Sequence, residues 1–122
     1  MILADTSVWV DHLRAENAVL GALLDTGEVL CHPFVIGEIA MGSLHRRETL
    51  LETFKRLPSA VVASHDEAMH LVETERLFGS GIGYLDVHLL ASTRLTSDAK
   101  FWTRDRRLFD AAVRLGIAWN PH

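Results

Sequence analysis

Four acids stand where the local pattern changes. Asp5 follows the apolar run Met1 to Ala4, Glu38 lies in an apolar helical stretch, Asp86 comes just after a glycine cluster, and Asp105 follows Lys100 to Thr103. Brought together they repel: two carboxylates about 5 Å apart at an effective dielectric of about 20 do so by about 3 kcal/mol. Helix N-termini supply about half a charge each to Asp86 and Asp105, which is not enough. A divalent cation supplies the rest. Carboxylates without clustered Cys or His form a hard-oxygen set, suited to Mg²⁺ or Mn²⁺ over Zn²⁺. Such an ion lowers the pKa of a water and stabilises a leaving oxygen, so the implied chemistry is metal-assisted phosphodiester hydrolysis.

The neighbours of these acids fit the same chemistry and also have plainer uses. Thr6, Ser7 and Thr103 are short hydroxyl side chains able to hold water or a phosphate oxygen; equally, Ser7 suits a helix N-cap and Thr103 a strand. Arg104, Arg106 and Arg107 flank Asp105 and suit a backbone phosphate, while a solvated helix face, with Arg107 paired to Asp110, explains them as well. Asp5, Asp86 and Asp105 taken singly are ordinary helix-start acids. Glu38, set among Ile36, Ile39 and Ala40, is expected to need a partner. The histidines form no H-x-H or H-E-x-x-H pattern, which argues against zinc. Trp9, Trp102 and Trp119 read as core or partner-facing residues before base-stacking platforms, and Cys31 as a buried thiol.

No local motif unites the four acids, so the elements must. Met1 to Ala4 reads as a strand, followed by a helix from Asp5-Thr6-Ser7 and a second helix capped by Asn17 and stopped by Gly27. Glu28 to Cys31 is a second strand, and Pro33 opens a helix ending at Gly42. A helix over 47–57 precedes Pro58 and a strand over 60–63; another runs from Asp66 through Leu77 to the glycines at 79, 81 and 83. Tyr84 to Leu95 is helical, 100–103 a strand, 105–115 a helix and 117–119 a last strand. Strands alternating with helices predict an α/β domain with a largely parallel sheet covered on both faces. In such sheets ligands gather beyond the carboxyl ends of the strands, where these acids fall.

At 122 residues, 48% apolar and 23% charged, the chain suits one domain over 1–122 with a packed core. No apolar run reaches the length of a membrane span, and the first residues lack a basic signal region. The single cysteine fits a reducing cytosol, so a cytoplasmic location is expected. The net charge of −4 does not exclude a nucleic-acid partner, because the cations are mostly arginine and six of them lie between Arg94 and Arg114.

Four blocks carry a family likeness: Leu3-Ala4-Asp5-Thr6-Ser7-Val8-Trp9; Ile36-Gly37-Glu38-Ile39; Gly81-Ile82-Gly83-Tyr84-Leu85-Asp86-Val87-His88; and Phe101-Trp102-Thr103-Arg104-Asp105-Arg106-Arg107-Leu108. In that order the chain resembles the PIN-domain ribonucleases, and among them the VapC toxins of bacterial toxin–antitoxin pairs. The resemblance implies a three-layer α/β/α fold with about five strands and an Mg²⁺- or Mn²⁺-dependent endoribonuclease site. Asp5, Glu38, Asp86 and Asp105 would hold metal and water, supported by Ser7 and Thr103. It further implies a homodimer, a VapB-like antitoxin and a structured RNA substrate of the tRNA or rRNA class. A phosphatase of the haloacid-dehalogenase pattern wants an Asp where Ser7 stands, and a flap-type DNA nuclease wants a longer chain. The rival from another class is a catalytically inactive PIN-like module that binds protein or RNA; loss of an acid would mark it, and all four are present.

Overall fold

The computed structural model describes residues 1–43 and 45–121. Strand β1 (Ile2–Ala4) leads into α1 (Thr6–Arg14) and α2 (Ala18–Asp25); β2 (Val29–Leu30) leads into α3 (Pro33–Met41). Then come α4 (Arg47–Phe54), α5 (His65–Thr74), α6 (Tyr84–Leu95), β3 (Lys100–Trp102) and α7 (Arg106–Arg114). The sheet is parallel with order β2-β1-β3, Leu3 standing between Leu30 and Phe101. Its strands are apolar in continuous runs because both faces are covered: Leu3, Val29 and Phe101 are fully buried. Trp9, on α1, is also fully buried and meets the Phe54 ring edge-on at 4.9 Å, securing α4 to the first helix.

The expected five strands are three among the described residues. The two outer ones shrink to single parallel bridges, Cys31 with Ser59 and Phe101 with Ala118. On one side the reason lies in α6. Thr96 Oγ1 accepts the Val61 N–H at 2.8 Å and Ser92 Oγ accepts that of Ala63 at 3.0 Å, so side chains satisfy amides that a ladder would have used. On the other side, Phe101 and 117–119 exchange two backbone bonds before Pro121, which has no N–H to continue the pattern.

Helix ends also differ from the sequence reading. α4 stops at Phe54, short of Leu57. α5 begins at His65 under a Ser64 capping box, and ends at Thr74 before Arg76 turns to φ +52, so Leu77 lies outside it. Asn17, Pro33 and Tyr84 open their helices as expected. No helix among the described residues is long and apolar enough to cross a membrane.

Candidate active site

Because β1 is central and parallel to both neighbours, its carboxyl end and that of β3 bring Asp5 and Thr103 to one edge. Asp5 is the N-cap of α1, accepting the Val8 N–H at 3.3 Å; Ser7, read above as a cap, is inside the helix. The Ser7 hydroxyl donates instead to Asp5 Oδ1 and that of Thr103 to Asp5 Oδ2, both at 2.5 Å. Each hydroxyl is oriented by a backbone amide of the β3–α7 turn: Arg104 N–H donates to Ser7 Oγ and Asp105 N–H to Thr103 Oγ1, both at 3.0 Å. With that lone pair taken, each hydroxyl proton is turned toward Asp5.

The other three acids are each held by a different element. Asp105 caps α7 through Oδ1 on the Leu108 N–H, and its own amide reaches Asp5 through Thr103. Asp86, in the first turn of α6, accepts the Gly83 N–H through Oδ2. Glu38 accepts the Thr6 hydroxyl at 2.8 Å. It sits on the exposed side of α3, so the apolar stretch around it does not bury it. One oxygen each of Asp86 and Asp105 suffices for the cap and leaves the other uncommitted.

Asp5 is only 6% exposed, and its carboxyl is held above the ordinary aspartate range. Burial is the main cause; the charge of Asp86 adds to it, against the lowering effect of the Ser7, Thr103 and Val8 hydrogen bonds. The buried anion is therefore under-compensated, a condition that a cation at this edge would relieve. The donors here are carboxylate and hydroxyl oxygens, which fits a hard divalent ion. Among the described residues, however, no three acidic, histidine or cysteine side chains stand together as a ready-made ligand set.

The arginines after Thr103 diverge. Arg104 pairs with Asp11 at 3.2 Å, and Arg106 with Asp110 at 3.4 Å, taking the partner that the sequence reading gave to Arg107. A cleft of about 350 Å³ beside Asp105 is lined by Thr103, Arg104, Arg106, Phe109 and Trp119. Trp9 and Trp102 are core residues, and Trp119 packs edge-on to Trp102 at 4.9 Å. His88, two residues past Asp86, is buried against Phe34 and Tyr84, at 5.0 and 4.5 Å between ring centres. Cys31 is a buried free thiol.

Two features escaped sequence reasoning. His32 is a buried cap of α3, bonded to Ser92, although its place before Pro33 was a usable signal. Gly81 approaches Arg107, for which the sequence carried no signal beyond the glycine cluster itself.

The family model for the PIN domain matches residues 2–114. The chain is 47% identical over 118 residues to proteins named Ribonuclease VapC32 from two Mycobacterium tuberculosis strains, CDC 1551 / Oshkosh and ATCC 25618 / H37Rv. Each alignment covers 97% of this chain and 95% of the relative.

Proposed function

Since the chain belongs to the PIN-domain family, as a VapC-type member, we propose that it is a divalent-metal-dependent endoribonuclease and the toxin of a VapBC-type pair. The observation that carries this reading is the network at the carboxyl ends of β1 and β3: Asp5 accepts the Thr103 hydroxyl, whose oxygen accepts the Asp105 N–H, and Glu38 is bonded to Thr6, next to Asp5, while Asp86 bears on Asp5 by charge alone. Mg²⁺ or Mn²⁺ would be held by Asp5, Glu38, Asp86 and Asp105, and when bound it supplies a lowered water pKa and stabilisation of the leaving oxygen.

The protein's own part is to keep Asp5 ionised and aimed. Ser7 and Thr103 present both hydroxyl protons to its oxygens, and the turn amides prevent those hydroxyls from rotating away. Asp86 and Asp105 are fixed by their caps with one oxygen uncommitted. Glu38 stands at the exposed margin, where a phosphodiester would approach.

The substrate in this reading is a structured RNA of the tRNA or rRNA class, and the protein acts in the cytoplasm. The relatives' VapC name supports a VapB-like antitoxin partner, and the proposal includes a homodimer. A basic side chain of the antitoxin would compete with the metal for the same negative charge.

The test is cleavage of purified tRNA and rRNA with Mg²⁺ or Mn²⁺, with EDTA, and by Asp5→Asn and Asp86→Asn. Cutting that needs the metal and is lost in both variants supports the reading. Cutting that persists in the variants points to a contaminating nuclease, to be removed by repurification; after that, no cutting with either metal, or cutting that persists in EDTA, refutes it.

A further inference from the structure

We propose that Arg107 is the phosphate-positioning residue of this site, holding the RNA backbone beside the acids from a seat on Gly81. The inference rests on the ribonuclease reading and adds to it the choice of one arginine among several.

Between Arg94 and Arg114 five of the six cations have partners. Arg94 pairs with Glu75, Lys100 donates to Gly116 O, Arg104 pairs with Asp11, Arg106 with Asp110, and Arg114 donates to Glu75 O. Arg107 has no hydrogen bond or ion pair among the described residues. Its donors are unspent although Asp105 and Asp110 lie close by in sequence on the same helix start.

The exposed side chain lies against the Gly81 backbone and not in an ion pair. Gly81 has φ +86, and a Cβ there would lie 2.7 Å from Arg107 Nη1 and 2.9 Å from Cδ. A side chain at Gly81 would push the guanidinium aside, and glycine takes this backbone conformation without strain. Gly81 lies two residues before the Gly83 cap of α6, the helix that carries Asp86, and Arg107 lies two residues after Asp105. The side chain therefore links the two turns that bear these acids. A guanidinium offers five N–H donors in a planar fork that fits a phosphate, and phosphate contacts set the register of a nucleic acid on its protein. Arg104 and Arg106 line the cleft on the Trp119 side instead, with their charge already shared.

Binding and cutting test this separately. Binding of fluorescein-labelled total tRNA is followed by anisotropy against salt in an Asp5→Asn background, which stops cleavage. Adding Arg107→Gln is expected to weaken binding about five- to tenfold and to reduce the slope of log K on log salt by about 0.7 to 0.9. Arg106→Gln should stay within about twofold, and Arg107→Lys should restore the slope with only part of the affinity. Gly81→Ala, which displaces the guanidinium and keeps its charge, should weaken binding provided that its melting curve shows a folded protein; Arg107→Gln decides alone if it does not. In the otherwise unaltered protein with Mg²⁺, Arg107→Gln should raise KM more than it lowers kcat. Equal losses in Arg106→Gln and Arg107→Gln, or an unchanged slope in Arg107→Gln, overturn the proposal. If the unaltered protein binds tRNA in an Arg107-dependent way but never cuts it, the ribonuclease reading fails and Arg107 is left as an RNA-phosphate contact alone.

Discussion

The Thr103 hydroxyl donates to Asp5 Oδ2 at 2.5 Å, joining the carboxyl ends of two adjacent parallel strands that are far apart in the chain. Thr103 Oγ1 in turn accepts the Asp105 N–H, so one small side chain orients two of the four acids. Thr103→Val keeps the shape and removes both bonds. We expect a stability loss of about 1–3 kcal/mol in urea titration, because a buried carboxylate and an amide are left short of partners. Cleavage should fall about tenfold or more, equivalent to about 1.4 kcal/mol in the barrier, and Thr103→Ser should recover most of it. Full activity in Thr103→Val would show that Asp5 needs no such support.

Asp5→Asn should stabilise the metal-free protein. The carboxyl is raised by burial and by Asp86, so the folded state holds its proton more tightly than the unfolded chain does. Between the unfolded value of 3.8 and the raised folded value, this group makes stability fall as pH rises; above both, the full penalty of the buried charge applies. Asparagine retains the cap of α1 through Oδ1 and removes the charge, while one of the two hydroxyls must turn to accept from Nδ2 instead of donating. Thermal melts in EDTA near neutral pH should therefore move upward, and the upward shift that Mg²⁺ gives the unaltered protein should vanish. A large drop in melting temperature in EDTA would contradict the account of Asp5 as an under-compensated anion.

His32 gives the opposite pH dependence. Its Nδ1 accepts the Phe34 N–H at 3.0 Å, so the neutral ring carries its proton on Nε2, 2.9 Å from Ser92 Oγ, which also receives the Ala63 N–H. Burial first, and then the neighbouring His88, push its pKa down from 6.5 to about 4. The unfolded chain therefore binds a proton that the folded one refuses. Stability is complete above 6.5 and declines as pH falls toward 4, by about 3 kcal/mol at the limit. His32→Asn can still cap α3 and lacks this titration, so its denaturation midpoint should vary less than the unaltered protein's across that interval. Parallel curves for the two proteins would remove His32 as the source.

What the sequence disclosed was mostly local. Pro33 before an apolar run, Asn17 before another and the glycines ahead of Tyr84 act within a turn of themselves, and their helices begin where those residues say. The parallel sheet followed from alternation, and with it a common edge, where Asp5 and Thr103 lie; the order β2-β1-β3 did not. The outer strands failed because Val61 and Ala63 find their acceptors on α6, about thirty residues further along, which no local pattern reports. The two readings of Ser7 stayed open for a related reason: Asp5 and Ser7 are both good caps, and the choice between them depends on Thr103 and Arg104 arriving from β3. Helical period alone did not show that Glu38 faces outward, since nearly every residue around it is apolar.

Glu38→Gln isolates charge from contact. The Thr6 hydroxyl donates to Glu38 Oε1 at 2.8 Å, and the glutamine carbonyl oxygen can accept the same bond. Glu38 is exposed, so stability should change by no more than about 0.5 kcal/mol. If Glu38 serves the metal, calorimetric titration with Mn²⁺ should show affinity falling about tenfold or more, with cleavage falling alongside it and partly recovering at high Mn²⁺. Thr6→Val makes the complementary change, leaving the charge and removing the tether, and should have the smaller effect on Mn²⁺ affinity. Should Glu38→Gln bind Mn²⁺ like the unaltered protein while Thr6→Val does not, the link between Thr6 and Glu38 would be structural and the metal would rest on the three aspartates.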